Sequence, residues 1–479
     1  MVSKRLLLLA LPLAFSAGAP AALAQRVRTL GPAGNVLPVT AHRQVAWGTG
    51  VNPGTAEVQL WNGSIVTSIP TGGNGIDGVG FVGSGRLFFF VQGGPVYGYN
   101  VYDGSTTIRL SSTALFPFFA DGSAAVFPTA GSADIGLYAS GTSFATISPD
   151  SLLDYAPHVS GRYVVWHKRI STLPDFQVWR YDRLTGTTMA ISTFPSLYSR
   201  YAQVDEDGRV AWHSGQDSSA SRSLMLWVGG TSRILASPTM GGGTYALHHG
   251  QLAYLRRNGG GPGWDVVLED GSSLRNLTPP GGILGVESNS IWLRNGMVAW
   301  IEGGVGMRVF DGSQTITLPY SLPHHRCGEF LDRGWVVYNS GAGGSVTLRE
   351  SPLTWEQDVI DASAGGTITF GLHGGAGNAG RPYLLLASIS GTFPGTSLGA
   401  VTLPLNADAV FFASLSLANT PLLSGTLGSL NGAGEATASF NPTPGLLSGV
   451  AGAYLSFAYG LYAPTLNYVS NPARVKIVP

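Results

Sequence analysis

The chain has 479 residues, of which 44% are hydrophobic and 11% are charged, and it contains 68 Gly and 29 Pro. This Gly and Pro content is below that of disordered low-complexity chains, and the hydrophobic fraction is large enough to build a core. The 27 basic and 27 acidic side chains balance, with no basic cluster larger than a doublet, which argues against a nucleic-acid partner.

Residues 1–24 have the pattern of a signal peptide. Lys4-Arg5 precede an apolar run from Leu6 to Phe15, and Ala22-Leu23-Ala24 precede Gln25. We therefore predict that this segment is cleaved on export, which places the mature protein in the periplasm, at the cell surface or outside the cell. No later run reaches the roughly 18 uninterrupted apolar residues of a membrane span, so none is expected in the mature chain.

Residues 25–358 repeat one pattern: an apolar strand that ends in an aromatic residue, a polar loop, a second strand and a tight glycine turn. The glycine turns, such as Asn62-Gly63 and Asp311-Gly312, suit two-residue hairpins. Four short strands about every 42 residues, without helices, are typical of a β-propeller blade. Eight aromatic positions predict eight blades, with seven as the alternative: Trp47, Phe90, Phe127, Trp166, Trp212, Tyr254, Trp300 and Tyr338.

The last repeat lacks its closing strand. The segment Arg26-Val27-Arg28-Thr29-Leu30 has the composition of that missing strand. We predict that it pairs in the last blade, because this pairing closes the ring and covers exposed sheet edges.

The repeat resembles a known family in its order of strand, Asp-Gly, strand and aromatic residue. The segment Val204-Asp205-Glu206-Asp207-Gly208-Arg209-Val210-Ala211-Trp212 is similar to exported bacterial propellers with TolB-like repeats. The resemblance covers roughly residues 26–355. It implies the fold, but the family spans protein-binding modules, peptidase accessory domains and a few lyases, so it implies no single function.

Residues 359–479 differ in composition from the repeats and form a predicted second domain. All eleven Trp lie at or before Trp355. The apolar runs have strand length and favour a β-sandwich: Thr367–Leu372, Tyr383–Ile389, Val410–Leu417, Ala436–Phe440, Ala453–Tyr459 and Ala473–Val478. Gly380–Leu386 and Val469–Pro472 resemble a C-terminal module of exported proteins from planctomycetes and related bacteria, which implies export and no site residues.

Two glycine-rich motifs lack the context that their chemistry needs. The GxGxxG motif at Gly375–Gly380 is followed by a predicted strand rather than a helix, which argues against a nucleotide site. The GxSxG motif at Gly395–Gly399 has no later histidine to act as a base. Asp205–Gly208 fits a hairpin turn better than a calcium loop. We therefore expect no cofactor and no catalytic residue.

Candidate binding residues are histidines near the propeller channel and one tryptophan in a hairpin loop: His158, His248, His249, His324, His325 and Trp264. Neutral imidazoles from several blades can hold a divalent metal. Their spacing from the repeat aromatic residues is irregular, however, which favours ordinary hydrogen-bonded histidines and no metal. The single Cys327 cannot form an internal disulfide and is expected to be a buried apolar filler.

These features favour an exported, monomeric, non-catalytic binding or scaffold protein that presents a propeller loop face to a protein or polysaccharide ligand. The alternative is a metal-dependent propeller lyase acting on uronic-acid polymers, in which a histidine-bound metal stabilises the enolate intermediate. Three histidine nitrogens within reach of one point, beside an open channel with arginines, would favour the lyase.

Overall fold

The computed structural model describes residues 26–32, 38–49, 55–94, 97–112, 118–129, 134–150, 152–170, 176–192, 199–215, 222–236, 244–258, 263–271, 273–280, 282–283, 286–318, 331–340, 345–463 and 466–479. The predicted signal peptide, His324, His325 and Cys327 lie outside these residues. Within the described ranges no helix is long and apolar enough to cross a membrane.

Four-stranded antiparallel sheets follow one another along the first three quarters of the chain, and each forms one propeller blade. The first described strand is β1 (Arg26–Pro32). Blade 1 contains β2 (Val39–Ala41), β3 (Gln44–Thr49), β4 (Glu57–Trp61) and β5 (Val66–Pro70), and blade 2 contains β6 (Gly75–Gly83), β7 (Arg86–Gln92), β8 (Gly98–Tyr102) and β9 (Thr107–Ser111). Blade 3 contains β10 (Phe119–Ala120), β11 (Ala125–Pro128), β12 (Ile135–Tyr138) and β13 (Ala145–Thr146), and blade 4 contains β14 (Asp154–Ser160), β15 (Tyr163–Arg169), β16 (Phe176–Asp182) and β17 (Thr187–Ala190).

Blades 5 to 8 continue the same order, and the last is completed by β1. Blade 5 contains β18 (Ser199–Val204), β19 (Val210–Ser214), β20 (Ser223–Val228) and β21 (Thr231–Ala236), and blade 6 contains β22 (Tyr245–His248), β23 (Gln251–Arg257), β24 (Trp264–Asp270) and β25 (Ser273–Asn276). Blade 7 contains β26 (Val286–Arg294), β27 (Met297–Glu302), β28 (Gly306–Phe310) and β29 (Thr315–Leu318), and blade 8 contains β30 (Leu331–Asp332), β31 (Trp335–Asn339) and β32 (Ser345–Glu350) together with β1. The predicted eight-bladed propeller is confirmed.

The aromatic residues of the repeat lie on the second strand of each blade, which corrects their placement on the first. Trp166 is in β15 and Trp300 in β27, and each is preceded by a separate inner strand. The rings pack against a neighbouring blade: Trp300 packs with Ala253 and Leu255 of the preceding blade 6, and Phe90 packs with Phe127 of the following blade 3. Removing such a buried ring typically costs about 3–5 kcal/mol, so these contacts hold neighbouring blades together.

The N-terminal strand closes the ring as predicted. β1 forms the outermost strand of blade 8 and pairs antiparallel with β32, from Arg26 opposite Glu350 to Pro32 opposite Ser345. Trp47 of blade 1 donates its indole N–H to the Pro32 carbonyl at 3.1 Å. Strand β1 therefore joins the last blade to the first.

The alternating strand direction gives the propeller two different ends. Turns between the first and second strands and between the third and fourth strands form one end, which we call the turn face; it includes His42-Arg43 and residues 62–65. Connections between the second and third strands and between blades form the opposite end, which we call the loop face; it includes residues 147–150 and 152–153.

The C-terminal unit has two main sheets that share one core. They are ordered β33-β35-β41-β39 and β34-β44-β42-β36-β40, and Phe370 of the first lies 4.7 Å from Phe457 of the second. Its elements are β33 (Leu353–Trp355), β34 (Val359–Asp361), β35 (Ile368–His373), β36 (Pro382–Ser388), β37 (Thr396–Leu398), β38 (Val401–Leu403), α1 (Ala409–Ser416), β39 (Leu423–Ser424), β40 (Leu427–Ser429), β41 (Glu435–Phe440), β42 (Tyr454–Leu461), β43 (Tyr468–Val469) and β44 (Ala473–Val478).

The predicted strand at Val410–Leu417 is wrong, because this segment forms the helix α1. The run is apolar on all sides, so periodicity alone does not distinguish a strand from a helix. Asp408 decides the outcome locally, since its carboxylate accepts the Phe411 backbone N–H at 2.8 Å and caps the helix.

The structure sharpens the expectation that the C-terminal unit folds alone. Strand β33 precedes residue 359, yet it pairs with β35, and Leu353 and Trp355 lie in the C-terminal core. We therefore expect a fragment of residues 352–479 to give a folded all-β protein, and one of residues 360–479 to melt at a lower temperature. Circular dichroism melts of the two fragments measure this, and equal melting temperatures would contradict it.

Candidate functional site

The C-terminal unit packs against the turn face of the propeller. Lys476 contacts Asp207, in the first turn of blade 5, and the Tyr454 hydroxyl donates to the same carboxylate at 2.6 Å. Arg474 donates to both carboxylate oxygens of Asp270, at the end of β24, at 2.7 Å. Two of the few charged residues of the C-terminal unit therefore pair with carboxylates on two blades.

The first turns of four blades share a backbone conformation at the mouth of the channel. His42, His249, Asn295 and Arg333 occupy the same turn position and all have positive φ, between 43° and 53°. This conformation is uncommon for residues other than Gly, Asn and Asp. The side chains of these residues meet the start of the C-terminal unit: Asn295 donates to Asp358 at 3.4 Å, and Arg333 donates to the Glu356 carbonyl.

His248 and His249 come together as the sequence suggested, and they meet a carboxylate that it did not single out. Their rings stack at 4.0 Å with 13° between the planes. The His249 Nε2 lies 3.2 Å from a Glu206 carboxylate oxygen and 4.0 Å from Asp358. The Glu206-Asp207 turn had been interpreted only as a hairpin, and Asp358 had no sequence signal at all.

Ligand atoms of Glu206, His248 and His249 lie within 4.8 Å of one another, which is close enough for a shared metal ion. The Nδ1 of His248 accepts the Asn295 backbone N–H at 3.2 Å. In the neutral ring the proton is then on Nε2, so His248 has no free lone pair for a metal. The near-parallel rings also keep their in-plane lone pairs in nearly parallel planes, which do not converge on one point. The geometry fits a close polar contact between Glu206 and His249 better than a metal site.

Burial shifts the proton affinities of this pair in opposite directions. Burial raises the pKa of Glu206 to about 7, although Lys476 opposes the shift. Burial lowers the pKa of His249 to about 4, with Asp358 opposing. Burial also opposes the ionisation of Asp358, but His249, Arg333 and Arg294 outweigh it and lower the pKa of Asp358 to about 2. Near neutral pH the His249 ring is therefore neutral and Glu206 is partly protonated.

We expect the Glu206→Gln variant to change the pH dependence of folding. A carboxyl whose pKa rises from 4.5 to about 7 on folding stabilises the fold below pH 4.5 and loses this contribution as the pH rises to about 7. Wild type should therefore lose about 2–3 kcal/mol between pH 5 and pH 8 relative to the variant. Urea unfolding at both pH values measures this.

Glu302→Gln is the matched control, since Glu302 pairs with Arg308 on blade 7, away from this junction. Parallel pH profiles for wild type and Glu206→Gln would contradict the assignment of a raised pKa to Glu206.

A cavity of about 250 Å³ lies beside this junction, at the turn-face mouth of the channel. It is lined by residues of the first turns of blades 1, 3 and 8 and by the segment 357–359 of the C-terminal unit: His42, Asp121, Arg333 and Gln357–Val359 are among them. Its polar groups are largely engaged with one another, as His42 is with the Gly122 carbonyl at 2.8 Å. The C-terminal unit therefore partly covers this end of the channel.

The structure places the other candidate residues elsewhere. His158 lies within β14, where its ring stacks on Phe119 of blade 3 at 4.0 Å and its Nδ1 accepts the Val204 N–H of blade 5 at 3.4 Å. Trp264 is not in the exposed hairpin loop that was predicted: it is the first residue of β24, pairs with Ile283 and packs against the core. His324 and His325 lie outside the described residues.

A second acidic group lies on the loop face between blades 3 and 4. Asp134, Asp150 and Asp154 have carboxylate oxygens within 4.8 Å of one another. The ammonium of Lys168 contacts Asp150 and lies 4.0 Å from Asp154, so the group already holds a cation. Burial raises the pKa of Asp154 to about 6, against the lowering effects of Ser148 and Lys168.

Two exposed tyrosines lie next to this group and were missed in the sequence. Tyr155 and Tyr201 are at the loop-face ends of β14 and β18, and they are 36% and 38% exposed. Both strands are irregular at these residues, with register shifts between Tyr155 and His158 and between Arg200 and Gln203. A β-bulge re-aims side chains, and it leaves no sequence pattern by which these tyrosines could be recognised.

No family model matches the chain, and no curated protein matches it significantly in sequence. Similar solved structures include BamB from Moraxella catarrhalis, at 14% identity and a TM-score of 0.43 over 68% of this chain and 98% of that chain. TolB from Acinetobacter baumannii is similar at 15% identity and a TM-score of 0.33, over 64% of this chain and 79% of that chain. An oligogalacturonate lyase from Vibrio parahaemolyticus is similar at 12% identity and a TM-score of 0.39, over 57% of this chain and 89% of that chain. At these identities and TM-scores the likenesses concern the fold alone, and nothing about function follows from them.

Proposed function

We propose that the chain is an exported, non-catalytic binding or scaffold protein that uses the loop face of its propeller to bind a protein or polysaccharide ligand. The observation that carries the proposal is the position of the C-terminal unit on the turn face. Contacts of Lys476, Tyr454 and Arg474 hold that end of the propeller against the C-terminal unit. The loop face is the end that these contacts leave open to a partner.

The chemistry of the junction supports a role without catalysis. His249 is buried and contacts the partly buried carboxylates of Glu206 and Asp358, and His248 uses its Nδ1 to accept a backbone N–H. A lyase needs a base aimed at substrate and a cation that stabilises the enolate. Among the residues that the structure describes, His249 of this pair instead contacts the C-terminal unit, through Asp358 and the Tyr454 ring. We include in the proposal export through residues 1–24 and the C-terminal unit as a β-sandwich module.

Selective blocking of the two ends tests the proposal. In a Cys327→Ser background, Leu152→Cys places a thiol on the loop face and Leu184→Cys places one on the second turn-face hairpin of blade 4, at residues that are 38% and 75% exposed. Each variant is coupled to a bulky polyethylene glycol maleimide. Binding is then measured against soluble neutral and acidic polysaccharides and short proline-rich peptides.

We expect wild type to bind at least one member of this panel without converting it, and the coupled Leu152→Cys variant to lose at least 10-fold in affinity. The coupled Leu184→Cys variant should bind like wild type. Failure to bind any panel member, or equal binding by both coupled variants, would contradict the proposal. Unsaturated products from pectin or alginate, lost in His249→Ala, would support the lyase instead.

A further inference from the structure

The loop-face ends of blades 4 and 5 carry a conformation that the propeller fold does not demand. Tyr201 has a φ of 59° and Ala156 a φ of 44°. A left-handed backbone conformation typically costs an L-residue about 1–2 kcal/mol and is an outlier for a bulky one. Blade 6 pairs its first two strands without any register shift. The strain in blades 4 and 5 is therefore a local feature, of the kind that persists at functional sites.

Register shifts between the first two strands recur in blades 2 and 7, but among the described strands a tyrosine lies at such a shift in blades 4 and 5 alone. Blade 2 has shifts between Ile76 and Gly78 and between Phe81 and Gly83, blade 7 has one between Val286 and Ile291, and none of these segments contains a tyrosine. The bulge is therefore a recurring device of this propeller. Blades 4 and 5 use it to present Tyr155 and Tyr201 at adjacent positions around the channel.

Both tyrosine rings rest on a common support, which makes them one surface. The buried His167 ring stacks on Tyr155 at 5.6 Å with 19° between the planes, and it lies 6.1 Å from the Tyr201 ring. Phe176 meets Tyr155 edge to face at 5.8 Å. The Arg200 guanidinium lies 3.8 Å from the Phe176 ring centroid. We call Tyr155, His167, Phe176, Arg200 and Tyr201 the aromatic platform.

The platform is held rigid before any ligand arrives. The Tyr245 hydroxyl of blade 6 donates to the Tyr201 carbonyl and to the Ala211 carbonyl, the latter at 3.2 Å. Burial and the charge of Arg200 lower the pKa of His167 to about 3, so its ring is neutral at neutral pH. A rigid ring loses little conformational entropy on binding, which favours affinity.

Charges of both signs lie beside the platform. The cations are Lys168, Arg169, Arg200 and Arg222, the last beside the His213 ring that lies 6.5 Å from the Tyr201 ring, and the carboxylates are Asp134, Asp150 and Asp154, with Lys168 paired within this group. The carboxylates would repel a polyanion. A neutral ligand rich in hydroxyl groups meets no such penalty, and carboxylates and guanidiniums can hydrogen-bond to it.

The exposed apolar area is small for a protein partner. Tyr155, Tyr201 and the nearby Leu152 are each only about a third exposed, whereas a stable protein interface buries roughly 800 Å² on each partner. Two tyrosine rings that flank a third aromatic ring suit the apolar faces of successive sugar residues, with the phenol hydroxyls available at the edge.

We propose that the aromatic platform binds a neutral carbohydrate chain. This inference rests on the proposed function, because it names the ligand class of the loop face. The platform stacks on the apolar faces of the sugar rings, and the neighbouring polar groups bind their hydroxyls.

The test measures binding of wild type and two variants by affinity electrophoresis and calorimetry. The probes are three neutral glycans (mixed-linkage β-glucan, xylan and mannan), two acidic ones (polygalacturonate and alginate) and a proline-rich peptide. Tyr155→Ala removes one ring. Tyr201→Gly removes the other and also relieves the positive φ, so its melting temperature should not fall below that of wild type by more than about 2 °C.

We expect at least one neutral glycan to bind wild type, each variant to weaken that binding at least 10-fold, and the double variant to lose it. Tyr462→Ala is the control, since Tyr462 is a 46% exposed tyrosine of the C-terminal unit, and it should bind like wild type. Absence of neutral-glycan binding, or binding unchanged in both variants, would overturn the inference.

The outcomes also separate this inference from the proposed function. Binding of an acidic glycan or of the peptide that both tyrosine variants lose would overturn the carbohydrate class and leave the loop-face binding function intact. Turnover of any glycan by wild type would overturn both.

Discussion

A chain that begins at residue 33 is expected to aggregate under conditions in which a chain that begins at residue 25 is folded and monodisperse. Without β1, strand β32 becomes an unpaired edge, and Glu350 loses the ion pairs that Arg26 and Arg28 make at 3.8 and 3.6 Å. An exposed edge strand pairs readily with other chains. We expect a fall in melting temperature of at least about 10 °C, measured by thermal unfolding with light scattering.

Two point variants provide a milder version of this experiment. Leu30 packs against a cluster that includes Trp47 and Trp335, whereas Val27 of the same strand is 54% exposed. Leu30→Asp should lower the free energy of unfolding by about 2–3 kcal/mol, because it places a charge against an apolar cluster. Val27→Asp should change the free energy of unfolding little, because its side chain is exposed. Identical melting curves for the two start sites would contradict ring closure by β1.

Replacing Asp408 by alanine is expected to destabilise the C-terminal unit by about 3 kcal/mol. The Asp408 carboxylate accepts the N–H groups of Ile389, Ser390 and Phe411 at 2.7–2.9 Å, and the hydroxyls of Ser388 and Ser390 at 2.8 Å. It therefore ties the start of α1 to the end of β36. The variant leaves the Ser388 hydroxyl and the Phe411 N–H, which belong to buried residues, without this acceptor.

The pH dependence of Asp408 supplies an independent check. Burial opposes its ionisation, but these hydrogen bonds outweigh burial and lower the pKa of Asp408 to about 2. A depressed pKa stabilises the fold above the ordinary value of 3.8, and this contribution is lost as the pH falls to about 2.

The control is Asp361→Ala, whose carboxylate bonds only to Ser363 and Ala364 next to it in the chain. We expect it to have a much smaller effect in urea unfolding of residues 352–479. Equal losses from both variants would show that Asp408 has no special role.

The architecture was predictable because large aromatic rings mark every blade. Residues such as Trp166 and Trp300 recur at the period of the blade and fill the space between blades. The short inner strands gave no such signal: β10 and β30 have two residues each, which is too short for an alternating pattern. The sequence pattern therefore assigns the aromatic residues to the first strand of each blade, although they lie on the second.

The junction could be predicted only in part. His248 and His249 were placed near the channel, but their partners come from distant parts of the chain. Asp207 meets Lys476 across 269 positions of sequence, and no local pattern reports such a contact. Tyr155 and Tyr201 depend on single-residue register shifts, and a shift of one residue reverses the face that every side chain occupies.

The most direct test of the central claim is where a bound ligand protects the backbone. Hydrogen exchange is measured with and without the tightest-binding member of the polysaccharide and peptide panel at saturation. Loop-face binding predicts slower exchange in residues 152–158 and 199–203, with no change in residues 205–208, 248–250 or 332–335 of the turn face. Protection confined to those turn-face segments would contradict the account.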